Sequence, residues 1–202
     1  MTDDGGLWSV VHLLAMVTTN MGNSEQNISV AMVRPTLAGV PEFAWPQSYG
    51  WRWYEPGDEA HWVAIHAAAE KFVTVTEETF WQDFGRETAV LTQRQLYLLD
   101  GNGQPVGTAS AWWDNAVNGR VHWVAIHPDH QGKGLAKPLL TAVCQRLHQL
   151  GHQTARLGTG TGRIAALNLY LSFGFVPDIR NEEERAAWEG VQPFLKYSVI
   201  GD

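Results

Sequence analysis

The most constraining feature of this 202-residue chain is a change of period around one short loop. Residues Arg120–Ile126, "RVHWVAI", read as a strand rich in β-branched and aromatic residues. From Leu135 onward, apolar residues recur at Leu139, Val143, Leu147 and Leu150, the spacing of one helical face of about four turns. Between the two stands a tight loop, "HPDHQGKG", with two glycines around a lysine. Gly151 closes the helix, and "TARLGT" (Thr154–Thr159) returns as a strand, so the segment predicts strand–helix–strand with parallel pairing. Pro138 is no obstacle, because it falls in the first turn, where backbone N–H groups lack intrahelical partners.

The rest of the chain arranges itself around that unit. Upstream, "NISVAMV" predicts an arm strand, followed by a connector holding Pro35, Pro41 and Pro46 and a strand at about Tyr49–Glu55. Asp58 is suited to cap a helix over Glu59–Phe72, and Thr76, with Glu77 and Glu78 just inside it, starts a second helix reaching about Phe84. A meander follows: Arg94–Asp100, the turn "GNGQP", Val106–Trp113, and Arg120–Ile126. After Thr159 come a helix over Ile164–Phe173, "GFVP", and a final apolar segment, Pro193–Ile200, so the order ends in helix and strand. The fold class is therefore α/β, a mixed and mostly antiparallel sheet with helices on its faces. Residues 1–27 read as an N-terminal extension, and residues 28–202 as a single domain with an arm at 28–48. Within the extension, Leu7–Val17 is apolar, but two acids and no basic residue precede it and it is too short to span a bilayer, so neither a secretory leader nor a membrane anchor is expected.

Charge and cysteine usage narrow the partners. A formal net charge of -7 with only 14 Lys and Arg leaves no broad basic surface for a nucleic-acid backbone. The single cysteine, Cys144, cannot form an internal disulfide and sits in an apolar helical run, which reads as a buried core thiol in a reducing, cytoplasmic setting.

A strand end, glycines and a helix start direct unpaired N–H groups and a positive helix end toward one point, which suits a phosphate. The glycines let a ligand approach the main chain closely. The loop lacks both the GxxxxGK[ST] spacing and the GxGxxG fingerprint. It has instead Gln131-x-x-Gly134-x-Ala136 after the step Ile126-His127-Pro128, and about forty residues on stands "ALNLYLSFGFVP", with Tyr170 and Gly174-Phe175. In these two motifs the chain resembles the GNAT acetyltransferase superfamily, over roughly Tyr49–Ile200. The resemblance implies a parallel strand pair, ending at Ile126 and starting near Thr154, that splays at its carboxyl ends. It implies acetyl-CoA as acyl donor, its pantetheine arm filling the wedge like an extra strand and its pyrophosphate on the N–H groups of Gln131–Ala136. Ile126, His127, Gln131, Gly132, Lys133, Gly134, Leu135 and Ala136 are then the cofactor-binding residues.

The same resemblance makes Tyr170 the acid, or the hydrogen-bond donor, for the departing thiolate, against a reading as a packed helical tyrosine. His122, four residues before Ile126, stands where relatives carry a base; with an ordinary pKa of about 6.5 a histidine can take a proton at neutral pH. It could equally satisfy a core hydrogen bond, with Trp123 on the opposite face of a regular pleat. Asp114 and Glu55, near strand ends, are further candidates for the base. Arg163 stands where relatives place an asparagine toward the cofactor arm; it cannot accept a hydrogen bond, so phosphate pairing or a salt bridge to an acid such as Glu182 is expected instead. His127 with His130, and His148 with His152, lack a completing carboxylate or cysteine, so no metal is expected. Trp45, Trp51, Trp53, Trp62 and Trp81 crowd the N-terminal half; each singly reads as a core residue, while several together near a cleft would make an apolar or cation-binding acceptor pocket. The expected function is acetyl transfer from acetyl-CoA to a primary amine, on a small molecule or peptide, by direct transfer in a ternary complex. The alternatives are a non-catalytic acyl-CoA binding module and an O-acyl or longer-acyl transferase. Either a monomer or a homodimer is expected, with no nucleic-acid or membrane partner.

Overall fold

A computed structural model describes residues 27–200, so the reading of an extension at 1–27 lies outside the described residues except for Asn27. In chain order the elements are β1 (Ser29–Arg34), β2 (Gly50–Trp53), α1 (Glu59–Ala69), α2 (Glu77–Phe84), α3 (Thr88–Arg94), β3 (Gln95–Leu99), β4 (Pro105–Trp113), β5 (Asn118–Ile126), α4 (Ala136–Gln149), β6 (Thr154–Gly160), α5 (Ile164–Ser172), β7 (Val176–Pro177) and α6 (Glu182–Val191). Among the described residues the strands form one seven-stranded sheet of order β2-β3-β4-β5-β6-β1-β7. Every pairing in it is antiparallel except that of β5 with β6, the mixed α/β sheet that the sequence predicts.

Helix α4 seats Leu139, Leu140, Val143, Cys144 and Leu147 against Ala109, Ala111, Val121, Ala155 and Leu157 of the sheet, and α5 adds Leu167 and Tyr170 to the same core. Each such apolar side chain taken from water contributes about 1.5–3 kcal/mol. Cys144 is fully buried and its thiol is pushed up to about 12 by desolvation, the inert core thiol expected. The opposite face is covered by α1 and α2 through Trp62, Ile65, Phe80 and Phe84, which pack on Tyr97 and Ala125.

Several expectations are corrected. Asp58 gives α1 no side-chain cap; its carboxylate accepts from the Glu55 amide at 2.7 Å and pairs with Arg52 (Nη2–Oδ1 2.8 Å). That helix stops at Ala69, not Phe72, because Glu70 turns its Oε1 onto the amides of Lys71 and Phe72, both at 2.9 Å. The expected cap at Thr76 is present as a box with Thr79. Helix α3 occupies the approach to β3, and α6 starts behind an Asn181 cap with three glutamates in its first turn; both escaped the sequence reading. The strand after α5 is the short β7, whereas Pro193–Ile200 forms no strand, only a 3-10 turn and irregular backbone.

Strand β1 pairs on one edge with β6 along its whole length and on the other with β7. Its inward residues are Val30, Met32 and Arg34. Arg34 is a buried cation that pairs with no carboxylate among the described residues; it donates to the carbonyls of Ala38 (3.2 Å), Gly39 (3.1 Å) and Phe173. The last of these lies just past the negative end of α5, where a cation is favoured. This contact also explains the glycine of "FGF": Gly174 has φ +74°, and a Cβ there would stand 2.5 Å from Arg34 Nη1.

One buried base predicts a pH dependence of stability. His66 of α1 is buried against Trp62 and Trp123, and desolvation lowers its pKa from 6.5 to about 4. Between those values the unfolded chain binds a proton that the folded chain refuses, so stability present above pH 6.5 is lost toward pH 4, by up to about 1.4 kcal/mol per pH unit. Melting temperatures across that window should fall for the parent, and less steeply for His66→Phe.

Candidate active site

The site is built where β5 and β6 part. Their parallel register runs only from Asn118 opposite Thr154 to Arg120 opposite Arg156, while both strands continue, to Ile126 and to Gly160. The remaining lengths diverge and leave a wedge. This is the splayed pair that the sequence reading expected.

At the carboxyl end of β5 the chain turns through Pro128–His130 and enters α4. Gln131 folds back, its Nε2 donating to the Ile126 carbonyl at 2.9 Å, and His127 Nδ1 accepts from the Asp129 amide at 3.3 Å. Tyr49 pins the turn from β2's side, its hydroxyl 3.0 Å from His130 Nδ1. Leu135 is buried beside Leu98 and Val106 and anchors the start of α4. Between these anchors Gly132 and Gly134 take φ of +72° and +77°, and a Cβ at either would meet nothing within 4 Å. Among the described residues the amides of Gly132, Lys133, Gly134 and Leu135 make no backbone hydrogen bond. The next two, of Ala136 and Lys137, are the orphan donors of a helix start. The loop thus presents a row of free N–H groups at an open, positive helix end, which fits a diphosphate.

Tyr170 lies on α5 in the core shared with α4, its ring 6.0 Å from Phe175. Burial raises its phenol to about 12, so the proton stays on at neutral pH, and the hydroxyl makes no hydrogen bond among the described residues. His122 approaches from the opposite face of the sheet. Here a regular pleat does not hold. Ser110 pairs with His122 and Thr108 with Ala125, so Trp123 and Val124 together oppose Ala109, and Trp123 takes φ 47°. This bulge turns His122 and Trp123 to the same side, contrary to the expectation of opposite faces. Trp123 packs on Trp62 and His66, and His122 stands edge-on to Phe84 at 5.7 Å. Both reach one carboxylate that the sequence reading missed: Asp83 of α2 accepts from Trp123 Nε1, and its Oδ2 is 3.7 Å from His122 Nε2.

The remaining candidates fall elsewhere. Asp114 is taken by Arg120 at 2.5 Å, and Glu55 is a mostly exposed side chain beside Arg52. Arg163 pairs not with Glu182 but with Glu70, at 2.6 and 2.7 Å, and covers the Phe72 ring at 5.0 Å, so the end of α1 is tied to the start of α5. Glu182 instead faces Arg185. Of the N-terminal tryptophans, Trp62 and Trp81 join the aromatic face near α2, whereas Trp51 and Trp53 meet each other on the edge strand β2. Among the described residues no group of three or more His, Cys, Asp or Glu is placed to hold a metal ion.

Comparison with known proteins agrees with this geometry. A mycothiol acetyltransferase from Thermobispora bispora is 28% identical over 190 residues, 86% of this chain and 64% of that protein. An L-amino acid N-acyltransferase from Escherichia coli is 33% identical over 94 residues, 45% of this chain and 55% of that protein. The chain thus spans less than two thirds of the length of these curated relatives. Among solved structures, a GCN5-related N-acetyltransferase from Sphaerobacter thermophilus superposes with a TM-score of 0.64 at 23% identity, over 74% of this chain and 48% of that one. An acetyltransferase from Salmonella typhimurium, solved with its cofactor acetyl-CoA, superposes with a TM-score of 0.50 at 26% identity, over 63% of this chain and 79% of that one. The acetyltransferase (GNAT) family pattern itself matches residues 31–175, from β1 through the wedge to Phe175, and the chain belongs to that family.

Proposed function

We propose that the protein is an acetyl-CoA-dependent N-acetyltransferase that moves the acetyl group to a primary amine by direct transfer within a ternary complex. The observation that carries this reading is the wedge between β5 and β6, floored by the unpartnered amides of Gly132–Leu135. Acetyl-CoA supplies the activated acetyl thioester. Gly132, Lys133, Gly134, Leu135 and Ala136 hold its diphosphate, and its arm runs along the end of β5 at Ile126. Gln131 and His127 shape the turn, the Gln131 amide donating to the Pro128 carbonyl, the His127 amide to that of Val106, and the His127 carbonyl accepting from the His130 amide. From the α4 side, Tyr170 directs a protonated hydroxyl toward the leaving sulfur. From the α2 side, His122 takes a proton from the acceptor amine. The relatives' names point to small amino-bearing acceptors as the first class to test, with peptides second. A soluble cytoplasmic enzyme, as monomer or homodimer, is the setting proposed for it.

An acceptor panel of amino acids, amino sugars and short peptides, read by release of free CoA thiol, tests the reaction. Release with at least one amine supports the reading. Tight acetyl-CoA binding with no acceptor-dependent release supports the binding-module alternative. The loop has its own test. Gly134→Asp places a negative side chain where the diphosphate approaches, and aspartate tolerates the left-handed backbone better than most residues. Calorimetry should show acetyl-CoA affinity reduced at least ~10-fold, about 1.4 kcal/mol. Unchanged affinity in a protein of normal melting temperature would remove the loop from the binding site.

A further inference from the structure

The α2 carboxylate belongs to no motif of the sequence, yet two neighbouring side chains of the bulged strand reach it. A non-glycine residue held at positive φ is uncommon and, for a bulky side chain, costly, so it persists where surrounding contacts enforce it. At Trp123 those contacts are the aromatic packing on Trp62 and His66 and the indole N–H on Asp83. The bulge that results also aims His122 at the same carboxylate. We infer that Asp83 is a positioning residue: it locks the β5 bulge through Trp123 and holds the His122 ring in the orientation, and with the charge partner, that proton abstraction from the acceptor requires.

This inference rests on the reading of His122 as the base. In the step concerned, an N–H bond of the acceptor ammonium breaks and an N–H bond forms on the His122 imidazole. Asp83 takes no proton in the step and faces the imidazolium that results. From α1, His66 stands edge-on to Trp123 and is kept neutral at physiological pH by burial. Just past the end of α1, Glu70 is bound by Arg163. On β5 itself Arg120 is paired with Asp114, and the residue opposite on β4 is Ser110, which carries no charge. Among the described residues, Asp83 Oδ2 stands within ion-pair distance of the ring, 3.7 Å from Nε2.

The test is the pH profile of kcat for D83N, with acetyl-CoA and an accepted amine. Asparagine keeps the shape and an oxygen for the Trp123 indole and removes only the charge. An opposite charge at this distance favours the protonated imidazole, so its removal should move the acidic limb down by roughly one pH unit. Turnover at neutral pH should fall on the order of 10-fold, while acetyl-CoA affinity stays at the parent value. D83E, which keeps the charge on a longer arm, should leave the limb in place, and it carries the test should D83N not fold. An unmoved limb in D83N, or a displaced one in D83E, overturns the inference. If His122→Ala shows a normal rate and limb, the base reading itself fails and this inference with it; a slow His122→Ala beside an unmoved D83N limb removes the Asp83 role alone.

Discussion

Tyr170→Phe should leave the melting temperature close to that of the parent and slow turnover on the order of 10²-fold. The ring keeps its packing on Phe175 and its place in the core with α4, and the deleted hydroxyl takes no hydrogen bond with it among the described residues. Little stability is therefore at stake. The kinetic expectation follows from what a phenol with a pKa of about 12 can do. A thiol of ordinary acidity has a pKa of about 8.5. Full transfer of the proton to the thiolate would then run uphill by roughly 3.5 units, about 5 kcal/mol. Donation of a hydrogen bond to the sulfur as its charge develops needs no such transfer, and losing one positioned donor of this kind typically costs ~10²–10³-fold in kcat. The variant should consequently show a uniform drop in kcat across neutral pH, with no new titration. Near-normal kinetics would return Tyr170 to the role of a packing residue.

His122→Ala should reduce kcat about 100-fold or more while acetyl-CoA affinity, measured by calorimetry, stays unchanged. An alkyl amine with a pKa of about 10.4 arrives almost wholly protonated at neutral pH, so a proton must leave before the nitrogen can attack. His122 stands on the face of β5 opposite that of Tyr170, so that proton abstraction and support of the leaving group approach the wedge from separate sides. The acidic limb of the kcat profile, where the imidazole becomes protonated, should disappear in the alanine variant. A variant that keeps both the parent rate and the parent limb would place His122 among the residues that only pack.

Those expectations divide by how far the sequence carries them. The glycine loop was legible because it is local: a strand, two glycines and a helix start lie within about fifteen consecutive residues, and the backbone conformation of Gly132 and Gly134 is written in the residue type. The placement of Tyr170 before Gly174-Phe175 was legible for the same reason. The bulge at Trp123 was not, because a bulge records a register difference between β4 and β5, and no single strand's alternation shows it. Asp83 was out of reach as well. It sits forty residues from the side chains it touches, in a helix whose visible signals were its Thr76 cap and first-turn glutamates. The partner of Arg163 went astray on the same ground: Glu182 and Glu70 are equally acidic in sequence, and only the turn after α1 brings Glu70 across. At the C-terminus, the apolar content of Pro193–Ile200 suggests a strand, but beyond β6 the sheet is extended by β1 and β7.

The position of β1 sets an order of events for a chain leaving the ribosome. Its partner residues run from Ala155 to Gly160, so Ser29–Arg34 cannot pair until well over a hundred further residues have been made. Contacts of such long sequence separation form slowly, because the intervening chain must be closed into a loop first. The meander β2-β3-β4-β5, which pairs neighbour to neighbour, can assemble while synthesis continues. The far side of the wedge, β6 backed by β1, is completed only after the meander. A nascent chain stalled before Thr154 would thus expose β5 as an unpaired edge, the kind of edge that recruits strands from other chains.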